Sequence, residues 1–216
     1  MNKEPVGAYT HFAGFAAGVA GLVVLILLAA GDAAKTVAVT LFGGTLVLLF
    51  LASASYHFFD LGERGNRWLR RLDHAAIFLF IAGSYIPPMI HTLDGAWRIA
   101  MISVVGGLAV AGVVMKLFWL GGPRWLTTAF YLALGWVVVV PAYQVLPRLT
   151  PNGLLWVTLG GLIYTAGAVV YARKRPDPLP GVFGFHEVWH LFVLCRAASH
   201  FVFALDLLRP PSPPPW

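Results

Sequence analysis

The segment His186-Glu187-Val188-Trp189-His190 places two imidazoles four residues apart inside an apolar run. On a helix that spacing puts both rings on one face, where they can bind a single metal ion. Two more ionisable residues stand in similar apolar surroundings: His57, closing Ser53-Ala54-Ser55-Tyr56-His57, and Asp73, in Leu72-Asp73-His74. His57 can supply a third nitrogen. Three protein ligands with one open position is the pattern of a catalytic zinc site, although imidazole also suits other divalent metals. Asp73 is then expected to hydrogen-bond the water at the open position or to orient a ligand. Ser53 lies one helical turn before His57, a hydroxyl beside the set. A lone histidine of this kind reads as an interfacial side chain snorkelling to the headgroups. Four ionisable residues at matching depth read as a site.

That depth follows from the elements that carry them. The chain of 216 residues is 59% hydrophobic and 11% charged, against about 25% charged for soluble domains. Too few charges remain to coat a surface in water. Apolar runs fall at 10–31, 36–58, 73–91, 98–119, 126–146, 153–172 and 186–208, each near the roughly 20 residues that a spanning helix needs. The expected fold is an all-α integral membrane protein, a single seven-transmembrane helix bundle with a Pro-rich tail at 210–216. The first run is longer than the 7–15 apolar residues typical of a signal peptide, so a retained helix is expected.

Charge sets the orientation. Lys3, Arg64, Arg67, Arg70, Arg71, Lys116, Arg124, Arg173, Lys174 and Arg175 fall on one side of seven helices, against Lys35, Arg98, Arg148 and Arg209 on the other. The positive-inside rule then puts the N-terminus in the cytoplasm and the C-terminus outside. It also accounts for the formal charge of +6 without nucleic acid; the expected partners are membrane lipids. His57 ends an inward-running helix, while Asp73 and His186 begin outward-running ones, so all of them lie near the cytoplasmic face.

Other features carry less. Gly14 and Gly18 form a G-x-x-x-G suited to close helix packing. Gly83-Ser84-Tyr85-Ile86-Pro87-Pro88 is expected to kink or end helix three. His74 points about 100° away from Asp73 on a helix and reads as structural. His11, His91 and His200 have no evident partner. Arg196, past the site in helix seven, either pairs with a carboxylate or lines a polar cavity. The H-E-x-x-H segment also matches the metalloprotease motif, in which Glu187 would be the general base. Asp206 and His200 are about 24 and 15 Å of helical rise beyond His190, too far to complete that site.

Three blocks resemble the hemolysin III family, the bacterial branch of the progestin and adipoQ receptor superfamily: Ser53 to His57; Leu72 to Ile77 with Ile81 to Pro87; and Phe185 to His190 with Ser199-His200-Phe201. The resemblance covers nearly the whole chain and extends to adiponectin receptors and alkaline ceramidases. It implies seven helices and zinc held near the cytoplasmic face by His57, His186 and His190. It also implies Asp73 as the water-orienting acid, Ser53 as the nearby hydroxyl, and a multi-pass protein of the bacterial cytoplasmic (inner) membrane. Cys195-Arg196-Ala197 departs from the family pattern, where small or apolar residues are expected.

The leading functional expectation is a zinc-dependent hydrolase of a lipid amide or ester. Asp73 would be the general base and Ser53 a donor to the developing oxyanion. A second reading is a non-enzymatic sensor or regulator of membrane lipid state, in which zinc ties helices two and seven together. Cytolysis ranks lower, because no amphipathic pore-forming segment is evident in the sequence.

Overall fold

In the computed structural model, which describes residues 5–179 and 182–209, the chain is all helical apart from an isolated bridge between Leu179 and Phe183. The helices are α1 (Pro5–Ala29), α2 (Ala33–Phe58), α3 (Gly62–Thr92), α4 (Gly95–Phe118), α5 (Arg124–Trp136), α6 (Ala142–Val145), α7 (Pro151–Arg173) and α8 (Phe185–Leu208). Six of them are long and apolar enough to cross a membrane. The bent pair formed by α5 and α6 makes a seventh span if counted as one. The chain is therefore an all-α multi-pass membrane protein. The Pro-rich tail expected at 210–216 lies outside the described residues.

The largest shift from the expected boundaries is at the start of helix three. Helix three was expected from residue 73, but α3 starts at Gly62, so Asp73 is eleven residues inside it rather than at its start. The arginines that lower the hydropathy of 62–72 do not oppose helix formation: Arg is a good helix former, and Glu63 pairs with Arg67 one turn on. At its other end α3 reaches Thr92, one residue past the expected end at 91, and passes through Pro87 and Pro88, which therefore do not end it. Its last carbonyls are capped from outside. Arg98 donates to Leu93 and Ile90, Arg148 donates to Thr92, and both arginines are held by Asp94.

The fifth span, expected as one helix over 126–146, is broken. After Trp136 the chain tightens into a 3₁₀ turn, passes Pro141 and resumes as α6, bent by 47°. Pro141 has no N–H and its ring clashes with the preceding turn. Backbone groups freed in a bilayer must find partners. Tyr85 from α3 provides them: its hydroxyl lies 2.8 and 2.6 Å from the Leu134 and Gly135 carbonyls and accepts from the Val138 amide at 3.1 Å.

Two cores share α3. Phe78, Ile81 and Tyr85 pack with Val105, Ala109, Tyr131, Leu134 and Tyr164 from α4, α5 and α7. Ala76 and Phe80 pack with Leu25, Phe42, Leu46, Phe50 and Ala197 from α1, α2 and α8. Gly14 allows the second contact to close, since a Cβ there would lie 2.9 Å from both Phe50 and Leu194. Of the G-x-x-x-G pair, it is Gly14 that is tightly engaged; a Cβ on Gly18 would meet its nearest side-chain atom at an ordinary 3.5 Å.

Candidate metal centre

Four helix ends converge at one pole of the bundle: the start of α1, the end of α2, the early turns of α3 and the start of α8. Their antiparallel order follows from the short connections at 30–32 and 59–61. Ser53 and His57 lie one turn apart on α2, as His186 and His190 do on α8, so each pair presents to the same neighbour. The three imidazoles meet. Ring centroids of His57 and His186 are 5.2 Å apart, of His57 and His190 4.6 Å, and of His186 and His190 4.7 Å. One nitrogen from each falls within 4.8 Å of the other two, a spacing that can hold a metal ion.

Beside the cluster is a cavity of about 30 Å³, lined among others by Ser53, Asp73, Tyr131, Tyr171, His186 and His190. It has room for a water molecule, which needs roughly 10–15 Å³ by this measure. Asp73 is buried there. Its carboxylate shares the cavity wall with Ser53 and has His74 Nδ1 at 3.2 Å. His74 therefore does not turn away from Asp73 as helical geometry alone suggested; a flexible side chain closes the gap that Cα directions leave. Its own carbonyl accepts from the Tyr131 hydroxyl at 3.0 Å.

One participant was expected to have no partner. His11 of α1 is buried and stacks on His190, with centroids 4.0 Å apart and planes 21° from parallel, and meets Phe50 edge-on. Its position near the start of helix one, at the same end as His57, was the available signal. One turn earlier, Gly7 brings the α1 backbone against the cluster. A Cβ there would lie 2.9 Å from His190 Cε1 and 3.5 Å from His57 Cγ. The donor set fits a metal: three imidazoles from two helices converge, a cavity with the Asp73 carboxylate in its wall adjoins them, and a glycine surface leaves them their space.

Glu187 is occupied elsewhere. Its carboxylate accepts from the Gly184 amide at 2.8 Å, reaching back from the first turn of α8 to its N-cap. This is a helix-terminal role and takes away the general base that a protease reading requires. Asp206 accepts from Thr150 and Asn152 at the far end of α8. His200 bonds the Arg196 carbonyl. Neither approaches the cluster.

The chain matches the family described as Haemolysin-III related over residues 1–201. It is similar to a hemolysin-3 homolog of Bacillus subtilis, 32% identical over 203 residues that make up 93% of this chain and 92% of the relative. It is also similar to hemolysin-3 of Bacillus cereus, 31% identical over 212 residues, 97% and 94% of the two chains. An adiponectin receptor protein of Drosophila melanogaster is 28% identical over 180 residues, 74% of this chain and 40% of that one. With these matches spanning the helices that carry the histidines, the chain belongs to the haemolysin-III related family, within the progestin and adipoQ receptor superfamily.

Proposed function

We propose that this protein is a zinc-dependent hydrolase of a lipid amide or ester, with its site near the cytoplasmic face of the bacterial inner membrane and its N-terminus in the cytoplasm. The reading rests on one observation: the imidazoles of His57, His186 and His190 converge to a spacing that can hold a metal ion, and the water-sized cavity that His186 and His190 line also holds the buried Asp73 carboxylate. His57, His186 and His190 would hold the ion. Zinc there would supply Lewis acidity, polarising a carbonyl and making water nucleophilic near neutral pH. Asp73 takes a proton from water in the cavity, and His74 and Ser53 hold its carboxylate in place. When an oxyanion develops, the Ser53 hydroxyl can turn from Asp73 to donate to it. The apolar helix faces around the pole suit an acyl chain arriving from the bilayer.

Elemental analysis of wild type beside His190→Ala is the first test: about one zinc per chain is expected, and none in the variant. Asp73→Asn should then keep its zinc and lose about 10²- to 10⁴-fold in turnover of a lipid amide or ester. Full turnover with zinc retained would remove the mechanism. The small size of the cavity supports a second reading, in which the zinc ties α2 to α8 in a non-enzymatic regulator of membrane lipid state. In that case chelation loosens the helices, while no lipid amide or ester is turned over by wild type.

A further inference from the structure

Arg196 is buried at mid-helix in α8, with 6% of its surface exposed. Its guanidinium lies between two aromatic faces, 4.7 Å from the Phe80 centroid and 4.8 Å from that of Tyr164. Among the described residues it makes a single hydrogen bond, from Nη2 to Ser84 Oγ at 3.1 Å. No carboxylate lies within ion-pair distance of it among the described residues. Asp206, ten residues further along α8, is about 15 Å of rise away and is held by Thr150 and Asn152. Arginine has five N–H donors, and an unpaired buried charge is costly. A cation held in the interior of a membrane bundle by two rings and one hydroxyl is built to meet an anion that the chain does not carry.

The space for that anion adjoins it. Arg196 lines a cavity of about 290 Å³ bounded by Tyr85, the broken α5–α6 span, α7 and Phe203. The volume is close to the roughly 300 Å³ at which small-molecule pockets begin, and the lining is largely apolar. A second void of about 20 Å³, walled by Leu49, Ile77, Trp189 and Val193 as well as Arg196, separates this cavity from the one beside the histidines. The broken span lines the large cavity on both sides of Pro141, through Gly135, Val138, Val139, Ala142 and Val145.

From this geometry we propose a binding site for a long-chain anionic amphiphile, with its carboxylate or phosphate head on Arg196 and its chain in the cavity between α3, α5–α6, α7 and α8. The site stands on Arg196 and the cavity alone and does not require a metal at the histidines. The guanidinium offers its free edge to a two-oxygen head, the pairing that planar N–H donors favour, while the two rings hold its faces.

The test is saturable binding to the full-length protein in dodecyl maltoside, using radiolabelled palmitate, hexadecyl phosphate and the neutral hexadecanol. One of the two anions should bind at least tenfold more tightly than hexadecanol, and which one does so identifies the head. Arg196→Met should weaken that anion at least tenfold and leave hexadecanol unchanged. Gly161 lines the cavity, and its Cβ would meet nothing within 4 Å, so Gly161→Phe should fill the space and abolish binding with helix content intact. Hexadecanol binding as tightly as both anions, or anion binding unaffected by either substitution, would overturn the proposal. The comparison of heads on wild type decides it even where a variant fails to fold.

Discussion

Replacing Gly7 by alanine separates the metal site from the stability of the helix that supports it. The new Cβ would sit 2.9 Å from His190 Cε1, 3.0 Å from His190 Nδ1 and 3.5 Å from His57 Cγ. Ordinary carbon contacts are about 3.5–4.0 Å, so the His190 ring must retreat by roughly half an ångström. It has little room to do so, with His11 stacked at 4.0 Å and His57 and His186 on its other sides. Metal–ligand distances tolerate about 0.2 Å, and changes just outside the ligand set typically lower metal affinity about 10- to 100-fold. That range is expected here, about 1.4–2.7 kcal/mol. The effect on the helix has the opposite sign, since alanine favours α1 by about 1 kcal/mol over glycine, offsetting the crowding in the metal-free protein. Zinc affinity by competition with a chromophoric chelator should therefore fall while the metal-free melting temperature stays near wild type. Gly44→Ala, where the Cβ meets nothing within 4 Å, is the control with unchanged affinity. If Gly7→Ala bound zinc as tightly as Gly44→Ala, the inferred crowding of His190 would be wrong.

Tyr85→Phe removes the hydroxyl that serves the Leu134 and Gly135 carbonyls and the Val138 amide. It should destabilise the protein by about 1–3 kcal/mol, read as a lower melting temperature with zinc content unchanged. Asp206→Ala breaks the charge-assisted bonds from Thr150 and Asn152 that tie α8 to α7. A loss of about 2–3 kcal/mol is expected, again with zinc retained, because Asp206 lies at the opposite end of α8 from His186. Zinc loss in either variant would mean that the histidine pole is coupled to the far end of the bundle.

The helices were legible because the bilayer imposes a length and a composition that few other constraints override. What escaped was set by residues far apart in sequence. The arginine-bearing turns before Asp73 are too polar for a hydropathy reading, yet they are helical and extend α3 by eleven residues. The break of the fifth span had a local signal in Pro141, but the groups that stabilise it belong to Tyr85, about fifty residues earlier. At the site, matching depth was enough to bring His57, His186 and His190 together. The same argument applied to His11, which begins the first helix at the same end. It was passed over because no spacing motif marked it.

The histidine pole and the buried arginine are connected through α8. At about 100° per residue, His186, His190, Arg196 and His200 fall within an arc of roughly 120°, so this helix turns a line of polar groups inward over most of its length. These groups are met by three neighbouring helices. His190 meets Gly7 and His11 of α1; Arg196 meets Phe80 and Ser84 of α3 and Tyr164 of α7; His200 packs against Gly160 of α7. In lipid, a polar face of this kind is tolerated only when it is turned into the bundle. The helix therefore depends on α1, α3 and α7 to cover it, and on the proposed reading the histidines of α8 would need those helices packed in order to share an ion with His57. Zinc binding should accordingly report assembly of the whole bundle, and a fragment lacking α1 should lose high-affinity zinc even though it retains all three ligands.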